Sequence, residues 1–405
     1  MDKPERHVCY ECIDDLGLRE FIESEAVNKR CDFCGKSSRK LIAAPLSEIV
    51  SYMKRCIEEH YCDANEWYSY DGGEIADTFE TWDTQELLED LLEFPEKNGE
   101  SLLDAIVEEM DEDHQWCKRD PYGVDEQDEV DFSWSYFSEV IRKERRFFFQ
   151  TVPAEHPDLL SPMEMLRNIT LYSESVGLFK ELKRGTKLFR ARKPRRGEIL
   201  SKATDFGPPP AEKAFKSGRM NPPGVVVFYV SDSPETAIRE IAHSPGNYLT
   251  GQFTTKRTAV ILDLANLPPE PSIFEGISDS LEYDPRKLII FLRHVASEIS
   301  KPIIPDDRAH VEYVPTQVVS EYIKSYSRPN GSRIDGIRFR SSVHKEHTSY
   351  VFFASQDNLL PAPPKKWIWE REQDRWLKFQ GKLDYKSVKA SDIKKWSGHK
   401  KRAKK

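Results

Sequence analysis

Three polar residues around one apolar stretch of the chain could bind an anion and a sugar. Arg219 lies in the loop before the apolar run 225–230, and Tyr229 lies near the end of that run. Glu240 follows in the next helical segment. A guanidinium can grip a phosphate through two parallel hydrogen bonds, and a carboxylate can stabilise a developing positive charge. On spacing alone, the same residues also fit a solvated loop arginine, a core tyrosine and a glutamate on an exposed helix face.

The elements that would position these side chains are a loop, a buried strand and a capped helix. All six residues of the run 225–230 are β-branched or aromatic, which predicts a strand buried on both faces. Ser233 is a favourable N-cap and Pro234 suits the first helical position, so a helix is expected to begin there. This turn from strand to helix can bring the three side chains to one cleft.

Four cysteines near the N-terminus have the spacing of a structural zinc site. They form two C-x-x-C pairs separated by 18 residues: Cys9 and Cys12, then Cys31 and Cys34. Four thiolates at tetrahedral positions are a ligand set that zinc commonly takes in proteins. Because four cysteines leave no open coordination position, the predicted role is in folding and not in catalysis.

Composition indicates a protein with a polar surface and argues against membrane and nucleic-acid partners. The 405-residue chain is 32% charged and 38% hydrophobic, with a net charge of −9. No apolar run reaches the roughly 18 residues of a membrane helix, and the first residues lack the apolar core of a signal peptide, so we expect a cytoplasmic protein without a membrane partner. The negative charge disfavours nucleic acid as a partner, although the basic end 400–405 leaves a local contact open.

Periodicity predicts a helical first half. Apolar residues recur at three- and four-residue spacing in four segments: Leu46, Ile49, Val50, Met53 and Ile57; Leu87, Leu88, Leu91 and Leu92; Leu102, Leu103, Ile106, Val107 and Met110; Phe137, Val140 and Ile141. The segment 151–157 has two prolines and no periodic pattern, which indicates a boundary. We therefore predict a zinc module at 1–40 and an α-helical domain at 41–150.

The second half predicts a mixture of strands and helices. A helix is expected at 159–182, with others at 285–300 and 315–326, and strands at 187–192, 259–264, 336–340 and 350–354. Because some strands are separated by helices and others are hairpin-like, we predict an α+β domain at 158–360. A C-terminal extension at 361–405 carries the basic tail.

One pair in the helical half suggests a different activity. Arg55 and His60 match the short R-x(4–6)-H element of HEPN-type ribonucleases. A five-residue offset places the two side chains about 140° apart around a helix, at roughly 100° per residue. RNA cleavage therefore stands as an alternative hypothesis.

Several separated motifs together resemble the RES domain of NAD-degrading bacterial toxins. The resemblance covers about 183–356 and is carried by Leu188-Phe189-Arg190-Ala191-Arg192, Gly218-Arg219-Met220-Asn221, Phe228-Tyr229-Val230, Ala237-Ile238-Arg239-Glu240, Tyr313-Val314-Pro315-Thr316-Gln317, and Asp335-Gly336-Ile337-Arg338-Phe339-Arg340-Ser341-Ser342. It implies a fold similar to ADP-ribosyltransferase toxins and cleavage of the bond between nicotinamide and ribose in NAD. The region before it resembles the zinc-binding, HEPN-like module that precedes some RES domains.

The same resemblance implies roles for individual residues. Arg219, Glu240 and Ser341 would be catalytic, with Glu240 facing the ribose and Ser341 holding a phosphate or the incoming acceptor. Arg219 and Arg190 would hold the diphosphate of NAD, and Tyr229 would pack on the nicotinamide ribose. Ser342 would replace Ser341 if the register slips by one. Inorganic phosphate is the expected co-substrate of phosphorolysis, while hydrolysis and protein ADP-ribosylation remain alternatives. An antitoxin or immunity protein and a second copy of the chain are the expected partners.

Overall fold

A computed structural model describes residues 5–66, 79–95, 98–110, 114–275, 284–301, 309–361 and 374–401. Contacts divide the chain into two compact units, Met1–Asp125 with Pro269–Leu288 and Glu126–Pro268 with Ile289–Lys405. No helix within these described ranges is both long and apolar enough to cross a membrane. Residues 402–405 of the basic tail lie outside the described residues.

The first unit is mainly helical. Its helices are α1 (Leu16–Ser24), α2 (Leu46–His60), α3 (Thr84–Leu91) and α4 (Gly99–Met110). The predicted apolar face of α2 is confirmed, because Leu46, Ile49, Val50, Met53 and Ile57 are all buried in one core with residues of α3 and α4. Asp83 caps α3 through a reciprocal capping box with Glu86, which satisfies backbone N–H groups at the start of that helix.

Short strands in this unit were not predicted. They are β1 (His7–Cys9), β2 (Ala43–Pro45), β3 (Tyr61–Asp63), β4 (Thr81–Asp83) and β5 (Gln115–Lys118). Strands β1 and β2 pair antiparallel, and the other three form a sheet in the order β3-β5-β4. Three or four residues are too few for a period-two pattern to be distinguished in sequence.

The second unit contains most of the larger elements. Helices following α4 are α5 (Glu126–Glu139), continued by a π-helical turn at Val140–Glu144, α6 (Pro162–Ser175), α7 (Ala203–Phe206), α8 (Pro234–Ile241), α9 (Pro285–Ser300), α10 (Ala309–Glu312), α11 (Val314–Tyr326) and α12 (Ala390–Lys401). The strands are β6 (Phe179–Leu182), β7 (Lys187–Arg192), β8 (Phe228–Ser231), β9 (Gly246–Thr255), β10 (Ala259–Asp263), β11 (Gly336–Arg340), β12 (Thr348–Phe352), β13 (Leu359–Leu360), β14 (Leu377–Lys382) and β15 (Lys386–Val388).

These ten strands form one mixed sheet. Its order is β13-β14-β9-β7-β8-β12-β11-β10-β6, and β15 pairs with the remaining length of β9. Most neighbours are antiparallel, while β10 with β11 and β13 with β14 are parallel. Two strands of the predicted C-terminal extension, β14 and β15, therefore complete this sheet by pairing with β9.

Three predicted elements around this sheet were wrong in extent. The strand expected at 350–354 lies two residues earlier, as β12. The helix expected at 159–182 ends at Ser175, because Gly177 adopts φ +63° in a left-handed helix end and the chain continues as β6. The strand expected at 225–230 begins only at Phe228. Gly224 has φ +90° and the Val225 amide donates to the Pro222 carbonyl, so the first part of the apolar run belongs to a turn.

Candidate active site

The loop that carries Arg219 is fixed by two polar side chains, Asn221 and Tyr229. Asn221 is 7% exposed, and its Nδ2 donates to the Val225 carbonyl at 3.1 Å. The Tyr229 hydroxyl donates to Asn221 Oδ1 at 3.0 Å and accepts the Met220 amide at 2.9 Å. Burial raises the pKa of Tyr229, so its hydroxyl stays protonated and continues to donate. Tyr229 thus stabilises the Arg219 loop.

Helix α11 holds the same loop from the other side. Gln317 is buried and its Nε2 donates to the carbonyls of Gly218 at 2.7 Å and Asn221 at 3.0 Å. The Thr316 hydroxyl donates to the Arg219 carbonyl at 2.6 Å. A Cβ at Gly218 would lie 2.4 Å from Asn221 Oδ1, so only glycine allows the loop to pack this closely.

Arg219 is partly engaged by the protein. Its Nη1 donates to the carbonyls of Ile299 at 3.0 Å and Ser300 at 3.2 Å, which are among the unpaired carbonyls at the end of α9. The guanidinium lies 5.8 Å from the centre of the Phe339 ring. These contacts fix the orientation of the guanidinium.

Glu240 lies in the last turn of α8, where a helix dipole disfavours a carboxylate. Two serine hydroxyls offset this effect: Ser341 Oγ donates to Glu240 Oε1 at 2.7 Å, and Ser349 Oγ lies 3.2 Å from the same oxygen. Ser231 Oγ in turn contacts Ser349 Oγ at 3.1 Å. Oε2 of Glu240 has no hydrogen bond with any residue that the structure describes. One oxygen is held while the other remains available to a ligand.

A cavity of about 440 Å³ joins these groups. It is lined by residues 189–193 of β7 and the following position, by 229–231 of β8, and by Arg219, Glu240, Tyr313, Phe339 and Ser349 among others. Strands β7 and β8 share a single paired position, Phe189 with Ser231, so they separate at the cavity. Its volume lies within the range typical of small-molecule sites.

Arg190 is a cavity residue with a donor that the protein does not use. Its Nη1 atom is enclosed and has no hydrogen-bond partner among the described residues, and its guanidinium lies 5.3 Å from the centre of the Phe228 ring. Burial, followed by the charge of Arg192, lowers the pKa of Arg190 to about 9. A bound anion would offset both effects.

Comparison with protein families identifies both parts of the chain. Residues 187–376 match the RES domain, and residues 24–155 match HEPN/RES N-terminal domain 1. The chain carries a RES domain. Neither the curated proteins nor the solved structures include a match to this chain.

Four of the six predicted RES-site residues line the cavity: Arg190, Arg219, Tyr229 and Glu240. The other two do not contribute to its lining as described. Ser341 is buried and contacts Glu240, while the Ser342 hydroxyl is enclosed without a hydrogen-bond partner among the described residues. The structure therefore brings Ser341, and not Ser342, to Glu240.

Ser349 is a site residue that sequence reasoning missed. It is buried in β12 of the RES domain, lines the cavity and contacts the carboxylate. The available signal was a serine inside an otherwise apolar strand, since a buried hydroxyl requires a hydrogen-bond partner. Its partner on α8 could not be identified without the pairing of β12 with β8, which places Ser349 opposite Ser231.

The N-terminal cysteines meet in one cluster. The sulfur atoms of Cys9, Cys12, Cys31 and Cys34 all lie within 4.8 Å of one another. Three of the distances are 3.7 Å between Cys9 and Cys12, and 3.6 Å for both Cys9 with Cys34 and Cys12 with Cys31. Tetrahedral zinc with bonds of about 2.3 Å would separate its sulfur ligands by about 3.8 Å. The cluster has the donor set and the spacing to hold a zinc ion.

The turn after the second cysteine pair helps to bring the four sulfur atoms together. Gly35 has φ +72°, and its amide donates to the Cys31 carbonyl at 3.2 Å. The Cys9 amide also donates to the Cys31 sulfur at 3.4 Å, an interaction that favours a thiolate. Three of the four cysteines are buried and Cys34 is exposed. All four sulfurs are taken up by the cluster, which fits a structural role.

Arg55 and His60, the pair behind the ribonuclease hypothesis, have separate contacts in the structure. Both lie on α2, where Arg55 is exposed and its guanidinium lies 5.6 Å from the centre of the Tyr52 ring. His60 is the last residue of the helix, and its carbonyl accepts the Arg119 amide. No hydrogen bond joins the two side chains in the described part of this unit.

Proposed function

We propose that this protein cleaves the bond between nicotinamide and ribose in NAD, as its RES motifs imply. The observation that carries the proposal is the hydrogen bonding of the Glu240 carboxylate. Serine hydroxyls hold one carboxylate oxygen and leave the other without a hydrogen bond among the described residues, in a cavity that also contains Arg190 and Arg219. A fixed carboxylate opposite arginines suits a ligand with positive charge at one end and phosphates at the other.

The reaction follows from the charge of NAD. When the bond between the ribose carbon and the nicotinamide nitrogen breaks, its electron pair stays on nitrogen, so cationic nicotinamide leaves neutral and positive charge develops on the ribose. Glu240 stabilises that charge or holds the ribose hydroxyls. Ser341 contributes by positioning the carboxylate, and Tyr229 packs near the nicotinamide ribose.

The arginines provide the anion-binding part of the proposal. Arg190 has an enclosed donor without a partner, and Arg219 uses only Nη1 in its hydrogen bonds to the described residues. Remaining donors on both guanidinium groups can therefore hold phosphate oxygens. We also propose that the fold of the RES domain is similar to that of ADP-ribosyltransferase toxins. The resemblance to the RES family supports this part of the proposal.

Phosphorolysis is the form of the reaction that we propose. Inorganic phosphate held by Arg219 would attack the ribose carbon as nicotinamide leaves, forming a carbon–oxygen bond and ADP-ribose with a phosphate on the anomeric carbon. Proximity and opposite charge would both favour this attack over that of water.

Product analysis tests the proposal. Purified protein is incubated with NAD, with and without phosphate, and the products are identified by mass spectrometry. Phosphorolysis predicts faster NAD loss with phosphate and a phosphorylated ADP-ribose. Plain ADP-ribose at a phosphate-independent rate would instead establish hydrolysis, and labelling of added protein would establish ADP-ribosyl transfer. Intact NAD under all conditions would contradict the proposal.

An enzyme that destroys NAD requires restraint in the cell that makes it. We therefore also propose a neutralising antitoxin or immunity protein that blocks the cavity, with NAD destruction taking place in the cytoplasm. Expression of the wild-type chain without such a partner should deplete cellular NAD and arrest growth. A Glu240→Ala chain expressed to the same level should do neither, and equal arrest by both chains would contradict the proposal.

A further inference from the structure

A second arginine lies beside Arg190 on the cavity wall. Arg190 and Arg192 are two residues apart on β7, so their side chains emerge from the same face of the strand, roughly 6.6 Å apart along it. The intervening Ala191 points to the other face, where it packs with Ala237 and Ile238 of α8. Both arginines line the cavity that contains Glu240.

Both arginines keep enclosed donors that the protein does not use. Nη1 of Arg190 and Nε of Arg192 have no hydrogen-bond partner among the described residues. The one hydrogen bond of Arg192 in this part of the chain is a long contact of 3.5 Å from Nη2 to the Gly207 carbonyl. Enclosed guanidinium donors without acceptors are costly, since each has lost its hydration.

The carboxylates that attract Arg192 are engaged elsewhere. Glu198 and Asp205 both raise the pKa of Arg192, but burial outweighs them and the net shift is downward. Glu198 accepts the Arg195 amide at 2.8 Å, and Asp205 accepts the amides of the two residues before its helix, at 2.8 and 2.7 Å. Neither carboxylate forms an ion pair with Arg192 in the described chain. Among the described residues, the two adjacent guanidinium groups therefore have no carboxylate in a direct ion pair.

Arg219 differs from this pair. Its Nη1 is already paired with carbonyls at the end of α9, so part of its hydrogen-bonding capacity is used in the protein. Two adjacent guanidinium groups with free donors match two adjacent phosphates better than Arg219 alone does, because each planar group can hold one phosphate.

We propose that Arg190 and Arg192 together form a diphosphate subsite, in which Arg192 selects ligands with two linked phosphates over those with one. The inference rests on the proposed cleavage of NAD and adds Arg192 to that site as the residue that determines selectivity for a diphosphate. A ligand with one phosphate can satisfy one guanidinium and leaves the other without a counter-ion. A diphosphate-linked dinucleotide satisfies both.

Binding measurements with two probes test this subsite without requiring turnover. ADP-ribose carries two linked phosphates and AMP carries one, and calorimetry gives the dissociation constant of each for wild-type protein and Arg192→Gln. Losing a charge-assisted hydrogen bond should weaken ADP-ribose binding about 10- to 100-fold. AMP, which can still use Arg190, should lose less than about 3-fold.

Two further variants separate the roles of charge and geometry. Arg196→Gln removes an exposed arginine from the neighbouring loop, outside the cavity lining, and should leave both dissociation constants unchanged. Arg192→Lys keeps the charge and loses the planar group, so an intermediate weakening of ADP-ribose is expected. It also keeps the result interpretable if Arg192→Gln does not fold, which circular dichroism will show.

The outcomes distinguish this inference from the proposed function. Equal weakening of ADP-ribose and AMP in Arg192→Gln, no weakening of either, or a wild-type protein that binds ADP-ribose no tighter than AMP would each overturn the diphosphate subsite. NAD cleavage that needs Glu240 but is unaffected by Arg192→Gln would overturn the subsite alone. Arg192-dependent binding of ADP-ribose without NAD cleavage would retain the subsite and reject the enzyme.

Discussion

The cysteine cluster and the Glu240 cavity both unite residues that are distant in sequence, but they differ in what they leave unsatisfied. In the cluster, four sulfurs converge on one point and could all be used by a single ion. In the cavity, a carboxylate oxygen and arginine donors lack hydrogen bonds within the described residues. The first arrangement suits structure and the second suits a ligand, since unsatisfied polar groups require an explanation.

Removing a ligand from the cysteine cluster should have the largest effect. We expect one zinc per chain in the wild-type protein and almost none in Cys31→Ser, because the Cys31 sulfur is buried, contacts the Cys12 sulfur and accepts the Cys9 amide. Structural zinc contributes roughly 10–16 kcal/mol of apparent binding free energy, so the first unit should lose its thermal transition. Elemental analysis and calorimetry measure both effects.

Cys62→Ser is the matched control, since Cys62 lies opposite Cys117 on β3 and β5 and outside the cluster. It should keep its zinc. Zinc retained by Cys31→Ser, or lost equally from both variants, would contradict the assignment of the four cysteines as zinc ligands. The contrast between a fully used cysteine cluster and an unsatisfied Glu240 cavity would then also be lost.

The support of the Arg219 loop should matter next. Gln317→Leu removes the side-chain donor to the carbonyls of Gly218 and Asn221, which then keep only the backbone hydrogen bonds that these two residues exchange. Losing two buried hydrogen bonds should cost about 1–3 kcal/mol. Because small displacements of a positioning group reduce rates strongly, NAD cleavage should fall on the order of 10- to 100-fold. Initial rates and a melting curve provide the measurement.

Gln356→Leu removes a single contact, from Nε2 to the Pro208 carbonyl at 3.1 Å, and Gln356 does not line the cavity. It should change the melting temperature slightly and the rate of NAD cleavage by less than about 2-fold, since one neutral hydrogen bond contributes about 0.5–1.5 kcal/mol to stability. If both glutamine variants were equally active, the loop would not depend on α11.

The cysteine cluster is easier to predict from the sequence than the cavity, because the cluster depends on local features of the chain. The spacing of the cysteines predicts a metal site directly, since each of two short turns presents two sulfur atoms. The capped start of α8 was also predicted and is confirmed by Ser233, which accepts the Thr236 amide at 3.1 Å. These are local features, set within a few residues.

The cavity depends on pairings that no local pattern specifies. Ser341 was expected to hold a phosphate or the acceptor, whereas the register of β11, β12 and β8 brings it and Ser349 to Glu240. The separation of β7 from β8 beyond a single paired residue likewise has no sequence signal. Long β9, absent from the predicted elements, is the strand that links β7 with the C-terminal strands.

The serines that hold Glu240 should give smaller effects. Ser341→Ala and Ser349→Ala each remove one hydrogen bond from Oε1, so NAD cleavage should fall about 2- to 10-fold in each. The double variant should lose more than either single one. Ser342→Ala should lose less than Ser341→Ala, and the reverse order would show that the register places Ser342 in the site.

The central claim is that the charge of Glu240 is used to break the bond between nicotinamide and ribose. The most direct test compares NAD cleavage by Glu240→Gln and Glu235→Gln, two variants of one helix that each remove one carboxylate. Glu235 is paired with Arg239 at 2.6 Å and lies outside the cavity lining. We predict a loss on the order of 10²–10³ for Glu240→Gln and a change of less than about 2-fold for Glu235→Gln. Equal activity of Glu240→Gln and wild-type protein would contradict the account.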